Sequence, residues 1–280
     1  MTLTWGVALA VLLGALLHAS WNALVKSSTD KPLDTALIHL IGSVVAIPGV
    51  LVFGWPAAAA WPYLLASMAI HIAYYIALTG AYENGDLSLT YPLMRGSAPM
   101  LVALASTWGL GETLSPLAWA GILAVSAGVL ALGLSRHALD SPRAVKFALA
   151  NACVIAAYTV IDAQGVRASG DALAYVFTLF ALDGWPYGLA VMLRRGRPAW
   201  TYTVGRWPMA LGGALASLGS YGIALWAMTR APVAIVAALR ETAVLFATVL
   251  GAWLLKEPFS MRTAVGTLAI AAGIMALRMG

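Results

Sequence analysis

The chain has 280 residues, 61% of them apolar and only 10% charged, against roughly a quarter charged in soluble domains. One water-soluble core cannot hide that much apolar surface, so the composition excludes a soluble enzyme and points to lipid as the solvent. The formal charge of +5 is spread over short clusters; this excludes nucleic acid as a partner and suits basic loops at a membrane surface.

The first apolar segment begins at Trp5 with neither a basic stretch before it nor a small-residue cleavage site. It is expected to be a retained helix and not a signal peptide. Spanning the hydrocarbon takes roughly twenty apolar residues. Ten segments meet that test, at 5–25, 33–54, 61–82, 87–108, 115–134, 144–163, 172–193, 207–228, 232–254 and 260–278. Their connections carry Pro, Gly or charge, as helix ends should. The longest interruption, SRHALDSPR at 135–143, divides the chain into halves at 1–134 and 144–280. Cys153 is alone, so neither an internal disulfide nor a thiolate metal cage can form.

The halves repeat one another. Setting Glu112 on Glu257 also sets Arg95 on Arg240, Trp108 on Trp253, Ser115 on Ser260 and Gly121 on Gly266. Trp21 falls on Tyr158 and Asp34 on Asp171, while Tyr75-Ile-Ala-Leu answers Tyr221-Gly-Ile-Ala-Leu. Internal periodicity of this kind decides the fold class. Five spans per half force the copies into opposite orientations, the inverted repeat of secondary transporters, whose site lies near the midplane. The expected fold is an all-α multi-spanning membrane protein of ten helices around a central cavity.

Loops after the first, fifth, seventh and ninth helices hold eleven basic residues, from Lys26 to Arg262, against Arg167, Arg230 and Arg278 opposite. Both termini are therefore expected outside, with the linker at 135–143 in the cytoplasm. Gly121, Ala124 and Gly128, with Gly266, Ala269 and Gly273, form small-residue faces for close helix packing, within the chain or across a dimer. A monomer is expected, with a dimer as the alternative.

Arg95 and Arg240 lie about 12 Å inside their helices, at 1.5 Å per residue. A mid-membrane arginine is costly and must face protein or water. The pair could attract a carboxylate from either side, or could snorkel and bond neighbouring carbonyls. Glu241 follows Arg240 directly; adjacent helix residues do not face each other, so its partner is elsewhere. His18, Trp21 and Asn22, then His71, Tyr74, Tyr75 and Tyr82, then Tyr91, Tyr158, Ser217 and Tyr221 are the other candidates to line a cavity. Packing is their alternative role. Trp5, Trp55, Trp61 and Trp207 suit the membrane interface instead. His71 and Asp183 are candidates to carry a coupling proton, although Asp183 could equally mark a kink at Pro186.

No GxxxxGK[ST] loop, HExxH run, paired ligand spacing or nucleophile motif is present. No ATPase, metal or cofactor is expected. A membrane enzyme acting on a lipid-linked substrate is the second reading.

The two five-helix halves, the aromatic in ASWN and AAYT, and the turns GETLS and KEPFS resemble the EamA domain of the drug/metabolite transporter superfamily. LLKEPFSMRTAVGTLAIAAGI is the most specific stretch; the first half departs from it with Thr113 in place of the proline. The resemblance implies a bacterial inner-membrane exporter of amino acids or related metabolites, with helices 1, 3, 4, 6, 8 and 9 around the cavity. In that membrane the outside, where both termini are expected, is the periplasm. The aromatic residues and arginines favour amino acids, aromatic ones included. Cation export is disfavoured, because the first helix has no carboxylate; a nucleotide-sugar carrier stays open.

Overall fold

A computed structural model describes residues 3–26, 28–84, 87–133, 141–254 and 261–279. The described residues form helices and no strand: α1 (Trp5–Lys26), α2 (Lys31–Phe53), a 3-10 turn at Ala58–Ala60, α3 (Trp61–Asn84), α4 (Leu87–Gly109), α5 (Pro116–Gly133), α6 (Pro142–Ala168), α7 (Ala172–Arg195), α8 (Arg197–Met228), α9 (Val233–Arg240), α10 (Ala243–Leu254) and α11 (Met261–Met279). Six of them, α1, α2, α3, α6, α7 and α8, contain stretches long and apolar enough to cross a bilayer by length and composition. The outer surface is apolar, with Leu51, Trp108 and Leu193 each 81% exposed. Side chains like these stay outside only where lipid meets them.

The helix starts are written in the sequence. Asp30 Oδ1 accepts from the Leu33 amide at 3.2 Å and Ser141 Oγ from the Ala144 amide at 3.3 Å, each followed by a proline in the first helical turn. Asp171 Oδ1 caps α7 through the amides of Leu173 and Ala174. The α2 cap is thus Asp30, and Asp34, which the repeat set against Asp171, has another task. It is fully buried and accepts from Arg206 Nε at 3.3 Å and from Nη2. Gly196, at φ +65°, lets α8 begin directly after α7. That tight join starts α8 at Arg197 and not near 207, and α6 likewise starts at Pro142 and not 144.

Helix packing has a two-fold pattern. α2 packs on α7 and α5 on α11, while α3 against α6 answers α8 against α1. α4 against α6 answers α9 and α10 against α1. Exchanging the halves leaves this set of pairs unchanged, as two repeats related by a two-fold axis require. The predicted small-residue faces meet each other inside the chain. A Cβ on Gly121 would stand 2.8 Å from the Gly273 carbonyl oxygen, and one on Gly128 would stand 2.8 Å from that of Gly266. Backbones this close are what the small residues permit.

One expectation is corrected. The ninth span, read as a single helix over 232–254, is broken at Glu241-Thr242 into α9 and α10. No Pro or Gly announces the break. Thr242 Oγ1 donates to the Leu239 carbonyl at 2.8 Å, and the amides of Glu241 and Thr242 reach back only three residues. Such threonine back-bonding and a tightened turn bend a helix. Buried from Val233 to Leu239, α9 sits at the heart of the bundle.

The turn carrying Glu112 joins the halves. Its Oε1 accepts from Arg167 Nη2 at 2.8 Å, and its Oε2 takes the first amide of α9, Val233, at 2.9 Å. Arg167 Nε also donates to the Met228 carbonyl at the end of α8. One carboxylate therefore ties α6, α8 and α9 to the α4–α5 turn. Glu112→Gln is expected to cost about 2 kcal/mol, the scale of a charge-assisted hydrogen bond, measured as a lower unfolding temperature in detergent. The matching turn, with Lys256, Glu257, Pro258 and Ser260, lies outside the described residues.

Candidate functional site

At the centre, α4, α6 and α9 enclose a cavity of about 10 Å³, lined among others by Arg95, Tyr158, Thr159, Arg240 and Glu241. That is space for about one water-sized group, whereas sites that hold a small ligand run to several hundred Å³. The centre is closed.

Its charges come from both halves. Arg95 on α4, 9% exposed, places Nη2 3.0 Å from Glu241 Oε1. Glu241, 4% exposed, stands at the break between α9 and α10, so the bend aims its carboxylate across at α4. This is the partner that Glu241 was expected to have away from Arg240. Arg95 consequently does not snorkel. Arg240 stands over the Tyr221 ring at 5.2 Å, a cation–π contact. Tyr221 donates its hydroxyl to Asp162 Oδ2, and Tyr175 donates to Oδ1 of the same carboxylate at 2.8 Å.

A second polar cluster adjoins the first. His71 on α3 has Nδ1 3.6 Å from Asp183 Oδ1 on α7, too long for a hydrogen bond. The structure thus brings both coupling candidates together, across two helices from different halves. His71 also stacks on Tyr158 at 4.7 Å, and Tyr158 lines the cavity. Tyr74 meets Tyr158 edge-on at 6.1 Å. Tyr75 reaches His39 Nε2 at 3.4 Å and stacks on Tyr187 at 4.4 Å. Tyr158 and Tyr221 are therefore the links from the arginines to the His71–Asp183 pair and to Asp162.

The remaining candidates lie further out. His18 is within electrostatic reach of both arginines, and Tyr91 within reach of Arg95 and Glu241. Trp21 donates Nε1 to His18 Nδ1 at 3.3 Å and packs against the cluster of Leu33, Leu37 and Ala214. Asn22 donates to the His18 carbonyl within its own helix. Ser217 is half-buried on α8 and outside the cavity wall. The side chain of Tyr82 lies outside the described residues.

Sequence reasoning did not include Asp162, His39, Tyr187 or Glu241 among the site residues. Asp162 carried a readable signal, an acid at the end of the apolar sixth span. The carboxylates of Glu241 and Asp162 also temper the basic character expected of the centre.

Comparison with known proteins bears on the family and the fold. Residues 142–279 match the EamA-like transporter family. No curated protein matches the chain. A solved crystal structure superposes over 98% of this chain and 95% of its own with a TM-score of 0.71, at 19% identity, which shows a shared fold.

Proposed function

Since residues 142–279 belong to the EamA-like transporter family, the protein is a multi-pass membrane transporter of the drug/metabolite superfamily, and we propose that it exports amino acids by alternating access. The observation that carries this reading is the closed central cavity, where Arg95 from one half meets Arg240 and Glu241 from the other. A site between two repeats can open to either side as they rock, and buried guanidinium groups are forks for a carboxylate. The aromatic wall at Tyr158, with Val102 and Ile155 beside it, suits an apolar or aromatic side chain. Counterflow of radiolabelled amino acids into proteoliposomes tests the reading; exchange of none of them would sink it. We place the basic loops in the cytoplasm and both termini in the periplasm of a bacterial inner membrane, a topology checked by labelling single cysteines at either end.

The energy source we propose is a proton carried by the His71–Asp183 pair. The pair lies between α3 and α7, and its stacking on Tyr158 connects it to the cavity wall. An imposed pH gradient is expected to drive accumulation in the wild type. Asp183→Asn and His71→Gln are expected to keep exchange at equal pH while losing that accumulation. Wild-type transport indifferent to the gradient would make the protein a facilitator.

A further inference from the structure

We infer that the cavity recognises the zwitterion of an α-amino acid with both charges at once, its carboxylate on Arg95 and Arg240 and its ammonium on Glu241. The inference rests on the amino-acid reading above and assigns Glu241 a part in it.

Three observations carry it. The first is the pattern of unmet polar atoms. Arg95 and Glu241 both line the cavity, and the 3.0 Å bridge uses one atom of each. Arg95 Nε, a donor, and Glu241 Oε2, an acceptor, are buried without a hydrogen-bond partner. Buried polar atoms left in this state are costly. A ligand that meets both must offer an acceptor and a donor a short distance apart, as the carboxylate and ammonium on one α-carbon do. Arg240 adds a second guanidinium, which stands over the Tyr221 ring.

The second observation is the charge balance. Arg95 and Arg240 are matched by Glu241 and by Asp162, which accepts from Tyr221 beneath Arg240. The neighbouring His71 and Asp183, 3.6 Å apart, lie outside this set. The formal sum over the two arginines and two carboxylates is zero. A zwitterion leaves that sum unchanged inside a closed, low-dielectric site. A lone carboxylate or a lone amine adds an uncompensated charge, which is expensive there.

The third is the break in the helix. Glu241 stands where the carbonyl end of α9 meets the amide end of α10. Half-helix ends in a membrane interior favour opposite charges, cations at the carbonyl end and anions at the amide end.

The test is competition against counterflow of whichever of phenylalanine or leucine exchanges better. For phenylalanine the competitors are 3-phenylpropionate, which keeps only the carboxylate, and 2-phenylethylamine, which keeps only the amine. For leucine they are 4-methylpentanoate and isoamylamine. The parent amino acid is expected to compete at least about tenfold better than either analogue, the scale of one charged hydrogen bond. An acid analogue competing within twofold would overturn the role of Glu241 and leave carboxylate export standing. An equally effective amine would overturn the role of the arginines. If neither amino acid exchanges while another one does, the same triplet is built on that one; if none does, the amino-acid reading fails and this inference with it. In the wild type the result does not depend on any variant folding. Glu241→Gln, which keeps a hydrogen bond to Arg95, is expected to shrink the preference for the zwitterion over the acid. Arg240→Gln is expected to shrink the preference over the amine. A lower unfolding temperature with both ratios unchanged would mark these residues as structural and overturn the inference.

Discussion

Arg95→Met alone, or Glu241→Leu alone, is expected to leave little folded protein, while the two together restore folding without restoring transport. Each single change strands a charge in a site where the Arg95 side chain is 11% exposed and that of Glu241 5%. Breaking a buried pair from one end costs about 3–5 kcal/mol, whereas replacing both ends by apolar groups of similar size is close to neutral. The measurements are thermal unfolding in detergent, followed by size-exclusion profile, and amino-acid counterflow. A single variant that unfolds at the wild-type temperature would show that the pair does not hold the centre closed. A double variant that still transports would show that neither charge contacts the substrate.

Gly128→Leu is expected to be as damaging, for a steric reason. The added Cβ would lie 2.8 Å from the Gly266 carbonyl oxygen and 2.7 Å from Ile270 Cγ1. The first of these is backbone, so it cannot rotate away, and α5 and α11 must separate along their length. Overpacking a tight contact costs about 1–3 kcal/mol, which is the expectation for Gly128→Ala. Leucine adds three more carbons to the same gap and should abolish folded protein. Its neighbour Ala127 is exposed, so Ala127→Leu is the control and should unfold like the wild type. The yield of monodisperse protein separates the three variants. Equal yields for Gly128→Leu and Ala127→Leu would mean that the crossing is not needed for folding.

Much of the architecture could be read from the residues because membrane spans are long, apolar and bounded by strong punctuation. The caps at Asp30, Ser141 and Asp171 and the glycine faces of α5 and α11 each follow from local chemistry. The break at Glu241-Thr242 did not, because its cause is a threonine hydroxyl competing for a carbonyl and a glutamate drawn across to α4. Neither leaves a Pro or Gly in the sequence. In the first half, Pro92 and Pro99 both lie inside α4, yet that helix runs unbroken. Local signals therefore misplace the discontinuity in both halves.

The centre was partly legible for a similar reason. A charged residue inside an apolar run stands out, so Arg95, Arg240, His71 and Asp183 could be named. Their partners could not, since the 3.0 Å bridge between Arg95 and Glu241 joins positions far apart in the chain. Asp162 went unnamed, because only the fold brings Tyr175 and Tyr221 onto its carboxylate.

The pairing of helices also governs how the chain can be made. Of the extensive contacts among the described residues, only those of α4 with α5 and α7 with α8 fall within one half; the rest join the first five spans to the last. A ribosome delivers the first half to the bilayer well before its counterparts exist. Until α11 arrives, the small-residue face of α5 has only lipid against it, and until α9 and α10 arrive Arg95 lacks its glutamate. Apart from α4 against α5, the early spans must wait as separate helices, with an arginine held in the membrane at a cost. Assembly is then a late event involving the whole chain, and a protein truncated after its first repeat has no partly finished core to fall back on.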